Sequence, residues 1–313
     1  MSQELNNICN SKRRNILQRK DRQENVSNAE LQMYGLTAYF SNETLDCSFY
    51  EKVLYAKREN NKVLHIDDKN IYLMDEQLRA LDLIKEKDKM ILMAPTSFGK
   101  TLLVKEYIYR FKPFVAVIIV PTNSLAYELE MSFKKNKSFS DYTIFNKTKL
   151  VNFSSNQKLL FVGTQEKFLE IEDKFEKIDF FVVDEAYKLK ESTLYQRSYR
   201  LSKVFLDNAI IKSKKVLLLS PNANFNGFDS YDFHYENITF NCVEKFYDVL
   251  DGDSFYKKLN EKAKYEKTIL FWKSPSDVNA IFDKIDKFNS NLSKFCNFLS
   301  NEFHSEWSVV KLL

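Results

Sequence analysis

Residues 94–101 read APTSFGKT, between the apolar runs Met90–Met93 and Leu102–Val104. A glycine, a lysine and a hydroxyl residue in succession, with a strand before and a helix after, are the parts of a phosphate cradle. Backbone N–H groups at the helix start face the anion, the lysine neutralises the β/γ charge, and the hydroxyl ligates Mg2+. Gly99, Lys100 and Thr101 fit those roles, and Ala94 stands where the general pattern has its first glycine. Ala94, Pro95, Thr96, Ser97, Phe98, Gly99, Lys100 and Thr101 are thus the candidate nucleotide-binding loop. Phe98 is bulky where such loops are usually small, and is expected on the loop's outer side, packing or meeting a second domain. Asp184 and Glu185 close another apolar run, Phe180–Val183. Asp184 could hold Mg2+ with Thr101, directly or through water. Glu185 could orient and deprotonate an attacking water, the base role in phosphoryl transfer. Alone, the acidic pair reads equally well as a strand end facing solvent.

These residues need elements to carry them. Short apolar runs recur at Met90–Met93, Val115–Val120, Leu159–Val162, Phe180–Val183 and Val216–Leu219. Runs of that length, apolar almost throughout, read as parallel strands covered on both faces. Amphipathic helical patterns lie between them, as at Ser124–Phe133 and Ser192–Leu206, and a further one, DEQLRALDLI, precedes the first run. The alternation predicts an α/β domain with a parallel sheet, and chemistry at the carboxyl ends of its strands. A strand is expected at Lys62–Ile66, and no internal repeat is evident. The basic residues of the first 30 positions, Lys12 to Arg22, read as a solvated helix or frayed tail, or as a nucleic-acid arm. Near residue 245 a second unit begins, with a strand at Thr268–Trp272 and helical spacing from Val278 onward.

Composition narrows the function classes. The chain has 313 residues, 44% hydrophobic and 29% charged, with a formal net charge of +4. That suffices for a large core and permits a polyanionic partner without requiring one. Three His and four scattered Cys argue against a zinc site or a disulfide framework. No apolar run approaches the roughly 20 residues of a membrane span. The first residues, MSQELNNICNSKRRN, have no apolar signal core, so a cytoplasmic protein is expected.

The set of motifs resembles the superfamily 2 helicases of the DEAD/DEAH (DExH) kind. Their first motif is commonly A-P-T-[GS]-x-G-K-[ST], which APTSFGKT matches, Ala included, and their second, D-E-x-[DH], is here DEAY. VPTNSLAYEL at 120–129 is similar to P-T-x-x-L-x-x-[EQ] through Pro121, Thr122 and Leu125. VGTQEKF at 162–168 is similar to T-P-E-[KR], with Gln165 for Pro, and SPN at 220–222 to S-A-T. The resemblance is dense over about residues 70–225, and TILFWKSPSDV at 268–278 looks like the start of a second RecA-like domain.

The resemblance implies a P-loop NTPase (RecA-like) parallel sheet with helices on both faces, plus an incomplete second α/β domain. Residues 1–70 would be an N-terminal extension, 71–245 the ATP-binding domain and 246–313 the start of the second. It implies ATP and Mg2+ as cofactors, and DNA or RNA held by its sugar–phosphate backbone as partner. Lys100, Asp184 and Glu185 would act on the phosphates, and Gln77 would read adenine. Pro121, Thr122, Thr164 and Gln165 would grip the strand. Tyr187, Ser220 and Asn222 would couple the two; Tyr187 departs from the family's His or Asp and SPN from S-A-T. By their residues alone, the Thr122 and Thr164 segments also read as βα loops with threonine caps. Because the family's arginine finger lies in the second domain, this chain is expected to bind ATP·Mg2+ and nucleic acid weakly and not to unwind. The alternatives are a binding module without turnover and a P-loop enzyme of another class, such as a small-molecule kinase.

Overall fold

In the computed structural model, the described residues are 3–40, 48–66, 71–146, 157–190, 196–221, 225, 228–243, 268–270 and 310–312. The chain divides into two compact units, Met1–Glu244 and Lys245–Leu313.

The described residues of the first unit open with the helices α1 (Gln3–Asp21), α2 (Asn28–Met33) and α3 (Phe49–Asn60). Then follow α4 (Asp75–Glu86), β1 (Lys89–Met93), α5 (Lys100–Phe111), β2 (Val115–Ile119), α6 (Asn123–Lys134) and β3 (Tyr142–Phe145). The chain continues through β4 (Lys158–Gly163), α7 (Gln165–Leu169), β5 (Phe180–Val183), α8 (Gln196–Val204), β6 (Val216–Ser220) and β7 (His234–Asn237). The seven strands form one sheet in the order β3-β4-β2-β5-β6-β1-β7, and every described pairing is parallel.

Side chains alternate along each strand and bury on both faces. On one face Met90, Leu92, Ile118, Val162, Val182 and Leu219 join the core that covers α4, α5 and α6. On the other, Ile91, Ile119, Phe161, Phe181 and Leu218 join the core with Phe168 of α7 and Val204 of α8. The expected α/β parallel sheet with helices on both faces is therefore what the chain forms. Two sheet members lay outside the sequence reading, the edge strands β3 and β7.

The described residues of 3–40 and 48–66 are no loose appendage. Ile16, Leu31, Leu36, Leu54 and Val63 are buried in the first of these cores. Of the basic residues in α1, Arg13 stacks on the Phe240 ring at 4.1 Å and Arg19 pairs with Glu24 and Glu30. The strand expected at Lys62–Ile66 is only an isolated bridge from Lys62 to Tyr72. The amides of Leu64 and His65 donate to the buried Glu106 carboxylate of α5 instead of to a strand.

In the second unit β8 (Thr268–Leu270) pairs antiparallel with β9 (Val310–Leu312). The remainder of the expected strand, Phe271 and Trp272, and the helix expected from Val278 lie outside the described residues.

Candidate nucleotide and nucleic-acid site

The parallel sheet brings the carboxyl ends of its strands to one edge. Met93 at the end of β1 is in register with Ser220 of β6, Val183 of β5 with Leu218 of β6 and Ile119 of β2, and Ile119 with Gly163 of β4. The motif residues follow these ends directly: Ala94, Pro121, Thr164, Asp184 and Ser220 itself.

The phosphate loop leaves β1 with the Ala94 N–H donating to the Ser220 carbonyl (3.0 Å). Thr96–Phe98 make a single 3-10 turn, and Gly99 reverses into the left-handed region at φ +86° before α5 begins at Lys100. Only glycine adopts that conformation without penalty. A Cβ on Gly99 would also meet the Gln77 amide nitrogen at 3.0 Å. Ala94 is fully buried and not among the positive-φ residues, which is why an alanine serves there.

Phe98 corrects the sequence expectation. It lies inside the loop, 4% exposed, in the core that holds Leu81 and Leu103. The 3-10 turn folds it back beneath the cradle, where burying an aromatic ring is worth more than any surface contact.

Two polar side chains fix the loop. The Lys100 ammonium donates to the Ala94 (2.6 Å) and Pro95 (3.0 Å) carbonyls. Gln77 accepts from the Met74 N–H through Oε1 (2.8 Å) and donates from Nε2 to the Phe98 carbonyl (2.7 Å). The carboxamide orientation is thereby set, leaving one Oε1 lone pair and one Nε2 hydrogen. Ser97 and Thr101 are exposed.

Asp184 lies beside this loop. Its N–H extends the sheet to the Ile119 carbonyl (2.9 Å), and its carboxylate accepts from the Glu185 N–H (2.9 Å). Burial, with the neighbouring Glu185 charge added, pushes its carboxyl above the usual aspartate range; the charges of Lys100 and Lys188 pull the other way. Lys100 and Asp184 thus share one electrostatic field. Glu185 is held at φ 51°, an uncommon left-handed conformation for a residue with a side chain. Its carboxylate accepts from Lys188 Nζ (2.6 Å) and from the Tyr187 hydroxyl (3.4 Å). Lys188 was not picked out from the sequence; the signal was its place one turn beyond Glu185.

The other predicted residues divide. Thr122 caps α6, its hydroxyl accepting from the Leu125 N–H (3.2 Å), and Pro121 is buried. Thr164 and Gln165 are 2% and 4% exposed, and Gln165 donates to Glu166 (3.0 Å). Ser220 is fully buried, with its hydroxyl unpartnered in the described structure. Asn222 lies outside the described residues. No cluster of three or more His, Cys, Asp or Glu among the described residues could hold a metal. Among the described residues no helix is long and apolar enough to cross a membrane.

The family model described as DEAD/DEAH box helicase matches residues 74–224. Anti-bacteriophage protein B of Escherichia coli (strain K12) is 27% identical over 263 residues, which cover 76% of this chain and 35% of that protein. The chain thus spans about a third of that relative's length. Among solved structures, the UvsW helicase of bacteriophage T4 aligns at TM-score 0.42 and 17% identity over 67% of this chain and 76% of that one. The Sulfolobus solfataricus SWI2/SNF2 ATPase core in complex with dsDNA aligns at TM-score 0.39 and 16% identity, over 54% of this chain and 35% of that one. The family match coincides with the stretch in which loop, acidic pair and sheet edge meet. At residues 74–224 this chain carries a DEAD/DEAH box helicase domain.

Proposed function

We propose that the first unit is the ATP·Mg2+-binding half of a nucleic-acid motor. The observation that carries this reading is that Lys100, after β1, and Asp184, after β5, lie in one field on either side of β6. Lys100 would exchange its two carbonyl partners for β/γ-phosphate oxygens, and the first N–H groups of α5 would add their positive dipole end. Mg2+, held by Thr101 and Asp184, would supply charge neutralisation at the transferring phosphoryl group. Gln77 offers one acceptor and one donor, the complement of the N6 and N7 edge of adenine, whereas guanine presents two acceptors there. Pro121 and Thr122 would position the strand-binding loop after β2, and the amide end of α6 would face the sugar–phosphate backbone. Thr164 and Gln165 would act from within as supports of the loop after β4. Tyr187, Ser220 and Asn222 would couple nucleotide state to that grip. Residues 1–70 would be its N-terminal extension, 71–245 the ATP-binding domain and 246–313 the beginning of a second RecA-like domain, in a cytoplasmic protein.

Titration with a fluorescent ATP analogue in Mg2+ tests this. Lys100→Ala is expected to weaken binding, and a variant that binds as the wild type does would refute the loop assignment. Filter binding of single-stranded DNA and RNA at rising salt tests the strand, because backbone contacts lose affinity steeply with salt.

A second reading, a binding module without turnover, draws support from the tie of Glu185 to Lys188 and Tyr187. A base held by an ammonium is less available to water. Single-turnover hydrolysis with added DNA or RNA separates the two, and stimulated hydrolysis by this chain would dismiss the module. The likeness to Anti-bacteriophage protein B extends the proposal to defence against phage nucleic acid. Plaque counts on cells with and without the whole protein test that extension.

A further inference from the structure

We infer that Thr239–Val243 is a positioning strap for the phosphate loop, in which Asn241 steadies Ser97 and Asn10 of α1 steadies Asn241. The inference rests on the reading above that residues 94–101 bind a nucleoside triphosphate.

The strap begins where the loop begins. After β7 the Ile238 N–H donates to the carbonyl of Met93 (2.8 Å), the last residue of β1. Ile238 and Phe240 are buried at 3% and 7% exposure, anchoring alternate residues of an extended stretch. The Asn10 side chain then clamps the intervening backbone. Its Nδ2 donates to the Thr239 carbonyl (2.9 Å), and its Oδ1 accepts from the Asn241 N–H (3.0 Å). One carboxamide thus makes the pair of bonds a neighbouring strand would make. Arg13 fixes Asn10 in turn. It donates to Asn10 Oδ1 (2.8 Å) and to the Tyr34 carbonyl (2.9 Å), with its guanidinium over the Phe240 ring.

With its backbone held, Asn241 presents Oδ1 to two donors, the Val243 N–H (2.9 Å) and the Ser97 hydroxyl (3.4 Å). The second contact is long for an O–H···O bond and is the adjustable member of the set. Ser97 lies in the 3-10 turn whose last carbonyl is taken by Gln77. The turn is therefore tied from two elements, α4 and the strap. Holding a loop in its binding shape raises affinity by lowering the ordering cost of binding. By linkage, a bound nucleotide must hold the strap to the same degree.

The test measures Mg·ATP affinity in the full chain for wild type, Asn241→Ala, Ser97→Ala and the double variant. Each single change is expected to weaken binding about three- to tenfold, the worth of one net hydrogen bond. The double variant should be no weaker than the worse single one, since both remove the same link. A merely structural loss would instead add. Asn10→Ala should move affinity in the same direction by acting through Asn241. Hydrogen exchange on the unmutated chain gives a readout independent of how the variants fold: Mg·ATP should slow the amides of Asn241 and Val243. Affinities within twofold of wild type, additive losses, or unchanged exchange would each overturn the strap. Mg·ATP binding that needs Lys100 but not Asn241 overturns the strap alone, whereas a wild-type chain that binds no Mg·ATP overturns the nucleotide reading and the strap with it.

Discussion

Glu106 offers the sharpest test of how residues 48–66 support the phosphate-loop helix. Its carboxylate is fully buried on α5, six positions after Lys100, or roughly 9 Å along the helix axis. It accepts from the Leu64 N–H (2.9 Å), the His65 N–H (3.3 Å) and the Arg110 Nε–H (2.6 Å), and lies 2.6 Å from His65 Nδ1. Arg110 also donates to the Lys62 carbonyl (2.8 Å), and Asn136 of α6 to the His65 carbonyl (2.7 Å). Glu106→Ala removes the partner of a half-buried guanidinium, of the buried His65 ring and of two backbone donors at once. Breaking a buried ion pair from one side costs about 3–5 kcal/mol. For a unit of this size each kcal/mol lowers the melting midpoint by about 2–4 °C, so a fall of about 6–20 °C is expected.

The pH dependence carries the same signature. Burial alone would push the Glu106 carboxyl up, but the bonds from His65, Leu64 and Arg110 outweigh it and hold the carboxyl below the usual glutamate range. A folded-state pKa below the unfolded one means that the unfolded chain takes up its proton first as pH falls. The stabilisation is complete above the unfolded glutamate pKa of about 4.3 and is lost as pH falls through the folded value. Melting curves of wild type and Glu106→Gln from pH 3 to pH 8 should converge at the acid end. A Glu106→Ala midpoint within 2 °C of wild type, or an equal gap at every pH, would refute the account (about 1 kcal/mol being the smallest effect such a clamp permits).

Three further outcomes follow from the site. Gly99→Ala must hold a side chain at φ +86°, at about 1–2 kcal/mol, and press on the Gln77 amide; a lower melting midpoint and weaker nucleotide binding are expected, read by calorimetry and titration. Phe98→Ala should cost about 3–5 kcal/mol in urea unfolding if the ring is in the core, against under about 0.5 kcal/mol for a ring at the loop's outer side. Asp184→Asn should abolish the Mg2+ dependence of ATP binding yet stabilise the chain near neutral pH. The raised Asp184 carboxyl makes its ionised form a cost that sets in as pH rises through the folded pKa. The gain should therefore vanish below the unfolded aspartate pKa of about 3.9, and a variant no more stable than wild type at pH 8 would count against that reasoning.

How much of this was legible in the sequence depends on where each residue's partners come from. β1, β2, β4, β5 and β6 are interior strands with almost every side chain buried, so their apolar runs announce them. β3 and β7 lie at the two edges of the sheet. His234–Asn237 alternates between half-buried and exposed, so four polar-leaning residues carry no signal above a loop. Lys62–Ile66 failed in the opposite sense. Its apolar pattern suits a strand, but a carboxylate far along the chain takes its amides, and no local pattern encodes that. At the candidate site, the left-handed turn at Gly99 and the places of Lys100 and Asp184 beyond strand ends were readable because they depend on backbone conformation and fixed spacing. Phe98, Asn10 and Asn241 were not, because what they do is set by long-range contacts.

The single glycine of APTSFGKT is then explained by conformation. Of the loop's residues only Gly99 has a positive φ, so only there does a side chain carry a backbone penalty. The turn before it is stabilised by other means: the Phe98 ring below, Gln77 on its carbonyl, and Ser97 reaching Asn241. Such a loop gives up flexibility and gains a defined shape, which lowers the entropy lost when a phosphate binds. The gain has an opposing term. Lys100 already bonds two carbonyls and Glu185 already bonds Lys188, so phosphate and water must replace those partners rather than find free groups. Each exchange nets only the difference between two hydrogen bonds, about 1 kcal/mol or less. Affinity in this domain should consequently rest on the backbone N–H groups of α5 and on Mg2+. Truncating Lys100 should then weaken binding through the two carbonyls left facing the phosphates as much as through the lost charge.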